Sequence, residues 1–312
     1  MAEPAIEILT QYRNISNKLK KRLLRKPNVA EACEQFSKLA KDLQRQECPQ
    51  YAGFCCLALA RRQTLGNPAG ETQALVHGAR LFLDAEKQNR DLNCPSFEDH
   101  LNAAINCYSH AVRIHMEQKH YGLAASLCLE LGDLIKNFGK SLEAIPHYQR
   151  AADLQNQSPL DYLNALDLVA ICKVEIGDYD SALNLYTEMM MIVEEKGVGP
   201  LGKPGGAFQD ILAKCEIMRV LLLLLLQPNP QKLRTEHAQL LEKYAWETTE
   251  SETAVNYLSE DCFLLFQSLV MACQSHELEV LKCLQVDLWP LLSVEQNDLL
   301  EKVVRQINKK SA

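Results

Sequence analysis

The sequence is poor in the residues that break helices and build turns. Its 312 residues include only 13 glycines and 12 prolines, and aromatic residues make up 6%. Scarce Gly and Pro argue against a turn-rich β-sandwich and against long disordered linkers. Strict alternation of apolar and polar positions is absent, whereas apolar residues recur with a helical period. With 47% hydrophobic residues available for a core, the sequence predicts an all-α fold.

Motifs of the common catalytic and cofactor sites are also missing. The chain contains no Gly-x-Ser-x-Gly, His-Glu-x-x-His or phosphate-loop motif. The string from Gly197 to Gly202 matches a dinucleotide fingerprint, but a predicted helix precedes it and Pro200 lies inside it, so a loop is predicted. His110, His115 and His120 recur every five residues, and no single helical face accommodates that spacing. We therefore predict histidines at the surface or its rim, no metal, no cofactor and no enzyme.

Charge, apolar runs and cysteines restrict the class of protein further. A net charge of −7 disfavours general binding of nucleic acid. The most apolar run, Val220–Leu226, is far shorter than the roughly 20 residues that cross a bilayer, and no secretory signal is expected at the N-terminus. The twelve cysteines form no Cys-x-x-Cys pair. They are predicted to be small buried residues in the reducing cytoplasm.

One glycine-rich break divides the predicted helices into two groups. Residues 1–195 are predicted to hold about nine helices, 196–207 a Gly/Pro loop, and 208–312 about five helices. The first helix is expected over Ala5–Leu24, and Ser293 with Gln296 predicts a capping box for the last helix. The two parts are expected to form one continuous solenoid.

Two stretches of the chain match each other with an offset of 38 residues. Gly139 and Gly177 each stand where a helix is expected to end in a left-handed residue. After each glycine, a small residue would let two helices approach, and a Tyr one turn later would fill the gap between hairpins. The spacing resembles the tetratricopeptide repeat, in which antiparallel helix hairpins stack into an α-solenoid, although an irregular helical bundle stays open. The matched residues are Ala144, Ile145, Tyr148, Ala151 and Ala152, with Ala182, Leu183, Tyr186, Met189 and Met190.

Two features are candidate partner-binding sites. The first is a basic segment at the end of the first helix, where the helix dipole favours positive charge. A solvated helix end and a binding surface for an acidic partner are equally good interpretations of this segment. Binding to anionic lipid is a third and weaker interpretation. The second is the pair of tryptophans, which often anchor interfaces but also plug terminal repeats. The acidic stretch Glu247–Glu252 would help to set the register of a partner by charge. The candidate residues are Lys18, Lys20, Lys21, Arg22, Arg25, Lys26, Trp246 and Trp289.

Several longer segments carry a family resemblance. They are Ser16–Ala32, Val220–Gln227, Glu236–Trp246, Gln267–Ala272 and Leu284–Leu292. These segments resemble the small family of huntingtin-associated proteins encoded within a factor VIII intron, and the likeness runs nearly end to end. It departs at Gly197–Gly206, where family members can carry a long proline-rich insertion. A looser likeness, carried by Gly139–Ala152, is to the soluble attachment proteins of membrane fusion.

The resemblance implies a scaffold whose function is to bind another protein. The implied partners are huntingtin, in a one-to-one complex that stabilises it, and an early-endosomal Rab GTPase, hence a role in vesicle trafficking. The implied location is the cytoplasm and early endosomes, with the nucleus as a further site, and association with membranes would be indirect. The alternative function is a fusion-type trafficking adaptor that acts without huntingtin.

Overall fold

A computed structural model describes residues 3–18, 29–63, 66–197, 205–229, 231, 233–245 and 257–311. Within these ranges the chain forms fourteen α-helices and no β-strand, nine before the glycine-rich break and five after it, as predicted. A 3-10 turn at Trp289–Leu291 separates the last two helices. The first nine helices are α1 Glu3–Lys18, α2 Val29–Arg45, α3 Pro49–Gln63, α4 Pro68–Asp91, α5 Asp99–Glu117, α6 Tyr121–Asn137, α7 Ser141–Leu154, α8 Pro159–Glu175 and α9 Tyr179–Lys196. The other five are α10 Gly206–Leu226, α11 Thr235–Ala245, α12 Glu260–Ser275, α13 Leu278–Leu288 and α14 Val294–Ser311.

The helices belong to two compact units, residues 1–131 and 132–312, and the division falls inside α6. The predicted boundary at 196–207 therefore lies within the second unit, and positions 198–204 of that loop lie outside the described residues. A single continuous solenoid stays a prediction. The structure describes the predicted first helix as far as Lys18, and the rest of its expected span, residues 19–24, also lies outside the described ranges.

In the first unit, α1 packs against α2, α2 against α3, α3 against α4, and α4 against α5. The connections from α2 to α3 and from α4 to α5 are short, so each of these two pairs forms an antiparallel hairpin. Phe36, Leu43, Phe82, Leu101 and Tyr108 are among its completely buried side chains. Sequential packing of this kind is how helical repeats build a shared core.

The second unit begins with the same sequential packing, from α7 through α10. The helices from α11 to α14 also pack in sequence, and the last of them, α14, packs against α10 as well. The side-chain amide of Gln306 donates a hydrogen bond to the carbonyl of Leu225 over 2.9 Å, which ties the last helix to α10. Val220 to Leu225 are all buried, so the apolar run is core as predicted. The predicted fold class, stacked tetratricopeptide-like helix hairpins, is confirmed.

The 38-residue match is a true structural repeat. All ten matched residues of α7 and α9 are buried. Gly139 and Gly177 have φ angles of +76° and +83°, so both are left-handed at the end of a helix. Gly132 adds a close approach that the pattern did not predict: a Cβ there would lie 2.6 Å from the ring of Tyr148. The repeated Tyr therefore occupies space that a side chain at position 132 would need.

The cysteine prediction holds for most positions and is wrong at two. Cys33 and Cys48 are partly buried, whereas Cys94 and Cys283 are exposed. Cys94 lies in the loop between α4 and α5, and Cys283 lies on the outer face of α13, opposite the core-facing Leu281 and Leu284. The buried cysteines are Cys55, Cys56, Cys107, Cys128, Cys172, Cys215, Cys262 and Cys273.

Candidate protein-binding site

The basic segment is only partly visible in the structure. Lys18 is exposed at the end of α1, and its Nζ lies 3.2 Å from a carboxylate oxygen of Glu31 and 3.0 Å from the amide oxygen of Gln35. Its charge is therefore engaged by α2 within the same unit. The other five predicted cations, and the acidic stretch 247–252, lie outside the described residues. These are Lys20, Lys21, Arg22, Arg25 and Lys26.

Of the three histidines predicted to lie at the surface or its rim, His120 is exposed and the other two are partly buried. His110 is 38% exposed at its side chain and lies 3.5 Å from Glu71, while His120 is exposed. His115 is partly buried, and burial lowers its pKa, with a smaller contribution from His120. The ring centroids of His115 and His120 are 6.1 Å apart. Among the residues that the structure describes, no group of three His, Cys, Asp or Glu side chains is arranged to hold a metal ion.

Of the two tryptophans, Trp246 lies outside the described residues and Trp289 is 59% exposed. Trp289 begins the 3-10 turn between α13 and α14. Three neighbouring apolar side chains are also exposed: Val286, Leu291 and Val294, at 72%, 47% and 73%. We call these four residues the C-terminal knob.

Buried polar contacts fix the backbone of the C-terminal knob. Asn297, on α14, is 6% exposed, and its Nδ2 donates hydrogen bonds to the carbonyls of Trp289 and Leu292 over 3.1 and 3.2 Å. The predicted capping box is present: the backbone N–H of Ser293 donates to Gln296, and the backbone N–H of Gln296 donates to the Ser293 hydroxyl. The 3-10 turn is therefore fixed by the hydrogen bonds from Asn297 and by the capping box that follows it.

Sequence reasoning found Trp289 but missed the other three residues of the knob. Val286 lies off the core-facing positions of α13, Leu281, Leu284 and Leu288, which follow spacings of three and four. That displacement could have indicated from the sequence that Val286 is exposed. The sequence does not indicate exposure of Val294, because an apolar residue at the start of a helix is equally common in a core.

The first unit contains a groove of about 680 Å³ between α2 and α4, with α3 as its floor. Three thiols are among its lining, Cys33, Cys55 and Cys56. Burial raises the pKa of Cys55 to about 12, and burial together with the neighbouring cysteines raises that of Cys56 to about 12. Thiols with such pKa values are neutral at physiological pH and make poor nucleophiles or metal ligands.

Carboxylates that could serve acid–base chemistry are engaged instead by buried tyrosines. Four tyrosines, each at most 1% exposed, donate to a carboxylate on another helix. The pairs are Tyr108 with Glu130 at 2.7 Å, Tyr148 with Asp133 at 2.7 Å, Tyr186 with Asp167 at 3.4 Å, and Tyr244 with Glu216 at 2.6 Å. In the first pair, burial raises the pKa of Glu130, but hydrogen bonds from Arg80 and Tyr108 and the charge of Arg80 outweigh it, and the pKa lies below its usual value.

The most polar part of the interior surrounds Glu216 on α10, which is 1% exposed. It accepts hydrogen bonds from Lys243 at 2.7 Å, from Tyr244, and from Tyr257. One turn further along, the Nη1 of Arg219 lies 2.8 Å from the sulfur of Met190, and burial lowers the pKa of this arginine. These contacts join α10 to α9, to α11 and to Tyr257, three positions before α12, so they have a structural role.

His237 is the buried residue closest in character to a catalytic base. Its Nε2 lies 3.3 Å from the hydroxyl of Thr187, which itself donates to the carbonyl of Leu183. Burial, followed by the charge of Arg219, lowers the pKa of His237. The adjoining cavity measures about 170 Å³, which is below the roughly 300–1,000 Å³ of typical ligand sites.

Comparisons with known proteins identify the family. A sequence profile of the soluble NSF attachment protein family matches residues 23–195. The match covers more than half of the chain, so the chain is a helical-hairpin protein of the soluble NSF attachment protein class. Among solved structures it is similar to BtubC (BKLC) from P. vanneervenii, a loose superposition with 14% identity and a TM-score of 0.37 over 79% of this chain and 94% of that chain.

Two mammalian relatives define the family more narrowly. The chain is 43% identical to the 40-kDa huntingtin-associated protein of Mus musculus and 42% identical to that of Rattus norvegicus, in both cases over 96% of this chain and 92% of the relative. The chain belongs to the family of 40-kDa huntingtin-associated proteins. The mouse alignment extends over 352 positions, 40 more than this chain has residues, so the relative contains residues with no counterpart here.

Proposed function

We propose that this chain is a non-catalytic scaffold that binds huntingtin one-to-one and stabilises it. The observation that carries the proposal is the extent of the family likeness, 43% identity over 96% of the chain to a protein named for its association with huntingtin. The interior supports it, because the four buried tyrosines and the carboxylates that they contact are used in hydrogen bonding, and the buried thiols are used in packing.

The proposed mode of binding uses helix surfaces rather than a ligand pocket. Exposed large apolar side chains occur in both units, for example Phe97 at 91% and Val286 at 72%. Large exposed apolar groups are typical of surfaces that a partner covers. We propose that the chain inserts between helical-repeat regions of huntingtin and fixes their orientation, with the basic segment from Lys18 to Lys26 setting the register by charge.

The link to trafficking is part of the same proposal. It assigns the complex to the cytoplasm and early endosomes, with a further population in the nucleus, and includes binding of an early-endosomal Rab GTPase. Its support is the family resemblance alone. Recovery of the Rab protein with the huntingtin complex, when the Rab is loaded with a non-hydrolysable GTP analogue but not with GDP, is the expected result. Equal recovery with both nucleotides would remove the Rab link.

Co-expression with full-length huntingtin tests the central proposal. The complex is expected to elute as one species with one-to-one mass on size-exclusion chromatography in high salt, because apolar contacts are insensitive to screening. A complex that dissociates in high salt would indicate that charged contacts, rather than apolar ones, supply most of the binding energy. Two separate peaks in low salt, with this chain folded by itself, would contradict the proposal.

The second candidate function is a fusion-type trafficking adaptor that acts on membranes without huntingtin. The match of residues 23–195 to the soluble NSF attachment protein family favours it. None of the helices in the described ranges has the length and hydrophobicity of a membrane span. Flotation of the purified chain with liposomes in the absence of huntingtin is the result that this candidate predicts, and a chain that stays with the soluble fraction would remove it.

A further inference from the structure

The C-terminal knob concentrates apolar surface in a way that single exposed residues do not. Isolated apolar side chains at a protein surface are ordinary. Here four of them, Val286, Trp289, Leu291 and Val294, lie within nine consecutive residues. Tryptophan is the residue most enriched among side chains that dominate binding energy. The knob therefore has the composition of an interface centre.

The backbone that presents the knob is fixed in advance. The 3-10 turn contains Pro290, and the hydrogen bonds from Asn297 hold the carbonyls on both sides of it. The capping box between Ser293 and Gln296 then starts α14 directly after the turn. A group that is already ordered loses less conformational entropy on binding, so this surface is prepared for a partner.

The charged residues within the knob segment itself have one sign. Lys282, one turn before Val286, is paired with Glu279, and Lys214 and Lys136 face Glu295, so the exposed acidic groups of the segment are Asp287 and Asp298. Between positions 286 and 298 the chain contains three carboxylates, Asp287, Glu295 and Asp298, and no Lys, Arg or His. Asp287 and Asp298 are both exposed, Asp287 beside Val286 and Asp298 one turn after Val294 on α14. An apolar centre with an acidic frame is complementary to an apolar pocket with a basic rim. The same frame would be repelled by anionic lipid.

We infer that the C-terminal knob inserts into an apolar pocket of huntingtin that is rimmed by Lys and Arg side chains, with Trp289 as the anchor and Asp287 and Asp298 facing the rim. This inference rests on the proposed function, since it names the surface by which the second unit engages that partner. It does not involve the basic segment at Lys18–Lys26, so the two surfaces can be tested separately.

The test compares variants of the full-length chain for binding to full-length huntingtin by association and dissociation kinetics. Trp289→Ala is expected to weaken binding by about 10- to 100-fold, mainly through faster dissociation. Val286→Ser is a second variant, expected to weaken binding by about 5-fold. Both side chains are exposed, so the thermal unfolding temperature of the free chain should not change. Leu142→Ala removes an equally exposed apolar side chain of the second unit and should alter affinity by less than about 2-fold.

The charged frame has its own matched pair of variants. Asp287→Lys places a cation in the last turn of α13, and Asp91→Lys does the same in the last turn of α4. Only Asp287→Lys is expected to slow association with huntingtin, by about 5-fold at low salt and much less at about 1 M salt, where charges are screened.

The possible results separate the inference from the function on which it rests. If the unaltered chain binds huntingtin and Trp289→Ala and Val286→Ser bind equally well, the knob inference is overturned and the proposed function stands. If the unaltered chain does not bind huntingtin, the proposed function falls, and the knob inference falls with it. Loss of self-association or of liposome flotation in Trp289→Ala, with huntingtin binding intact, would assign the knob to a second copy or to a membrane and would also overturn the inference.

Discussion

The repeated helices α7–α9 and the closing helices α10–α14 bury their polar groups in different ways. In the repeat, Tyr148 and Tyr186 occupy equivalent positions, and each donates to one aspartate on another helix. In the closing part, Glu216 alone accepts three donors, from α11 and from Tyr257. The repeated part is therefore stabilised by tyrosine–aspartate contacts that recur from hairpin to hairpin. The closing part depends on one carboxylate that several segments share.

The largest expected effect comes from removing that shared carboxylate. Glu216→Ala leaves Lys243, Tyr244 and Tyr257 without their acceptor in a buried site, and the free energy of unfolding should fall by about 3–5 kcal/mol. Denaturant titration followed by circular dichroism measures the change. Glu175→Ala is the control, because this carboxylate is 39% exposed and pairs with Lys136 at the surface, where a loss below about 1 kcal/mol is expected. Equal losses in the two variants would contradict a special role for Glu216.

The two repeat tyrosines should respond unequally to loss of the hydroxyl. The hydroxyl of Tyr148 lies 2.7 Å from Asp133, so Tyr148→Phe should cost about 1.5–3 kcal/mol, the range for a hydrogen bond to a charged group. The hydroxyl of Tyr186 lies 3.4 Å from Asp167, which keeps its 2.6 Å contact with Lys214, so Tyr186→Phe should cost less than about 1 kcal/mol. Denaturant titration of both variants measures the difference. A larger loss for Tyr186→Phe would show that the lengths of these bonds do not rank their contributions.

The two repeat glycines should respond equally. Gly139→Ala and Gly177→Ala each place a Cβ on a left-handed residue with no other atom within 4 Å. The cost then comes from the backbone alone, about 1–2 kcal/mol at each position. Chemical denaturation of the two single variants is the measurement. A difference of more than about 1 kcal/mol between them would show that the hairpin ends are not equivalent.

The smallest effect concerns pH and His237. Burial and the positive charges of Arg219 and Arg234 lower its pKa in the folded chain, while Glu236 acts in the opposite direction and Thr187 contacts the ring. Because the folded-state pKa lies below the unfolded value of about 6.5, the unfolded chain binds a proton first as the pH falls. Stability is therefore intact above pH 6.5 and is lost as the pH falls through the folded pKa.

His237→Gln should reduce this acid sensitivity. Between pH 7.5 and pH 5.5, the drop in melting temperature is expected to be smaller than in the unaltered chain. Calorimetric scans at the two pH values measure it. His147 has a pKa that is lowered by burial and then by Arg150, and its contribution remains in both proteins. An identical drop in the variant would remove His237 as a source of the pH dependence.

Local features of the fold were predictable from the sequence, and long-range ones were not. Helix number, the left-handed glycines and the Ser293–Gln296 capping box depend on residues a few positions apart, so spacing alone predicts them. The partners of Glu216 lie 27, 28 and 41 positions away. No periodic pattern connects residues at such separations, so the central contact of the closing helices could not be read from the chain.

The same limit applies to the candidate site. Trp289 stood out because tryptophan is rare in this chain. Its exposed neighbours look like core residues in sequence, because a helix uses the same apolar side chains for burial and for interfaces. The turn that presents them depends on Asn297, a polar residue that sequence reasoning would place on a surface and that is buried here.

Amide hydrogen exchange of this chain, alone and with full-length huntingtin, tests the account most directly. Amides around residues 286–298 are expected to exchange more slowly in the presence of huntingtin, while the buried helix α10 exchanges slowly in both states. Identical exchange along the whole chain with and without huntingtin would contradict the claim that this protein works by binding it.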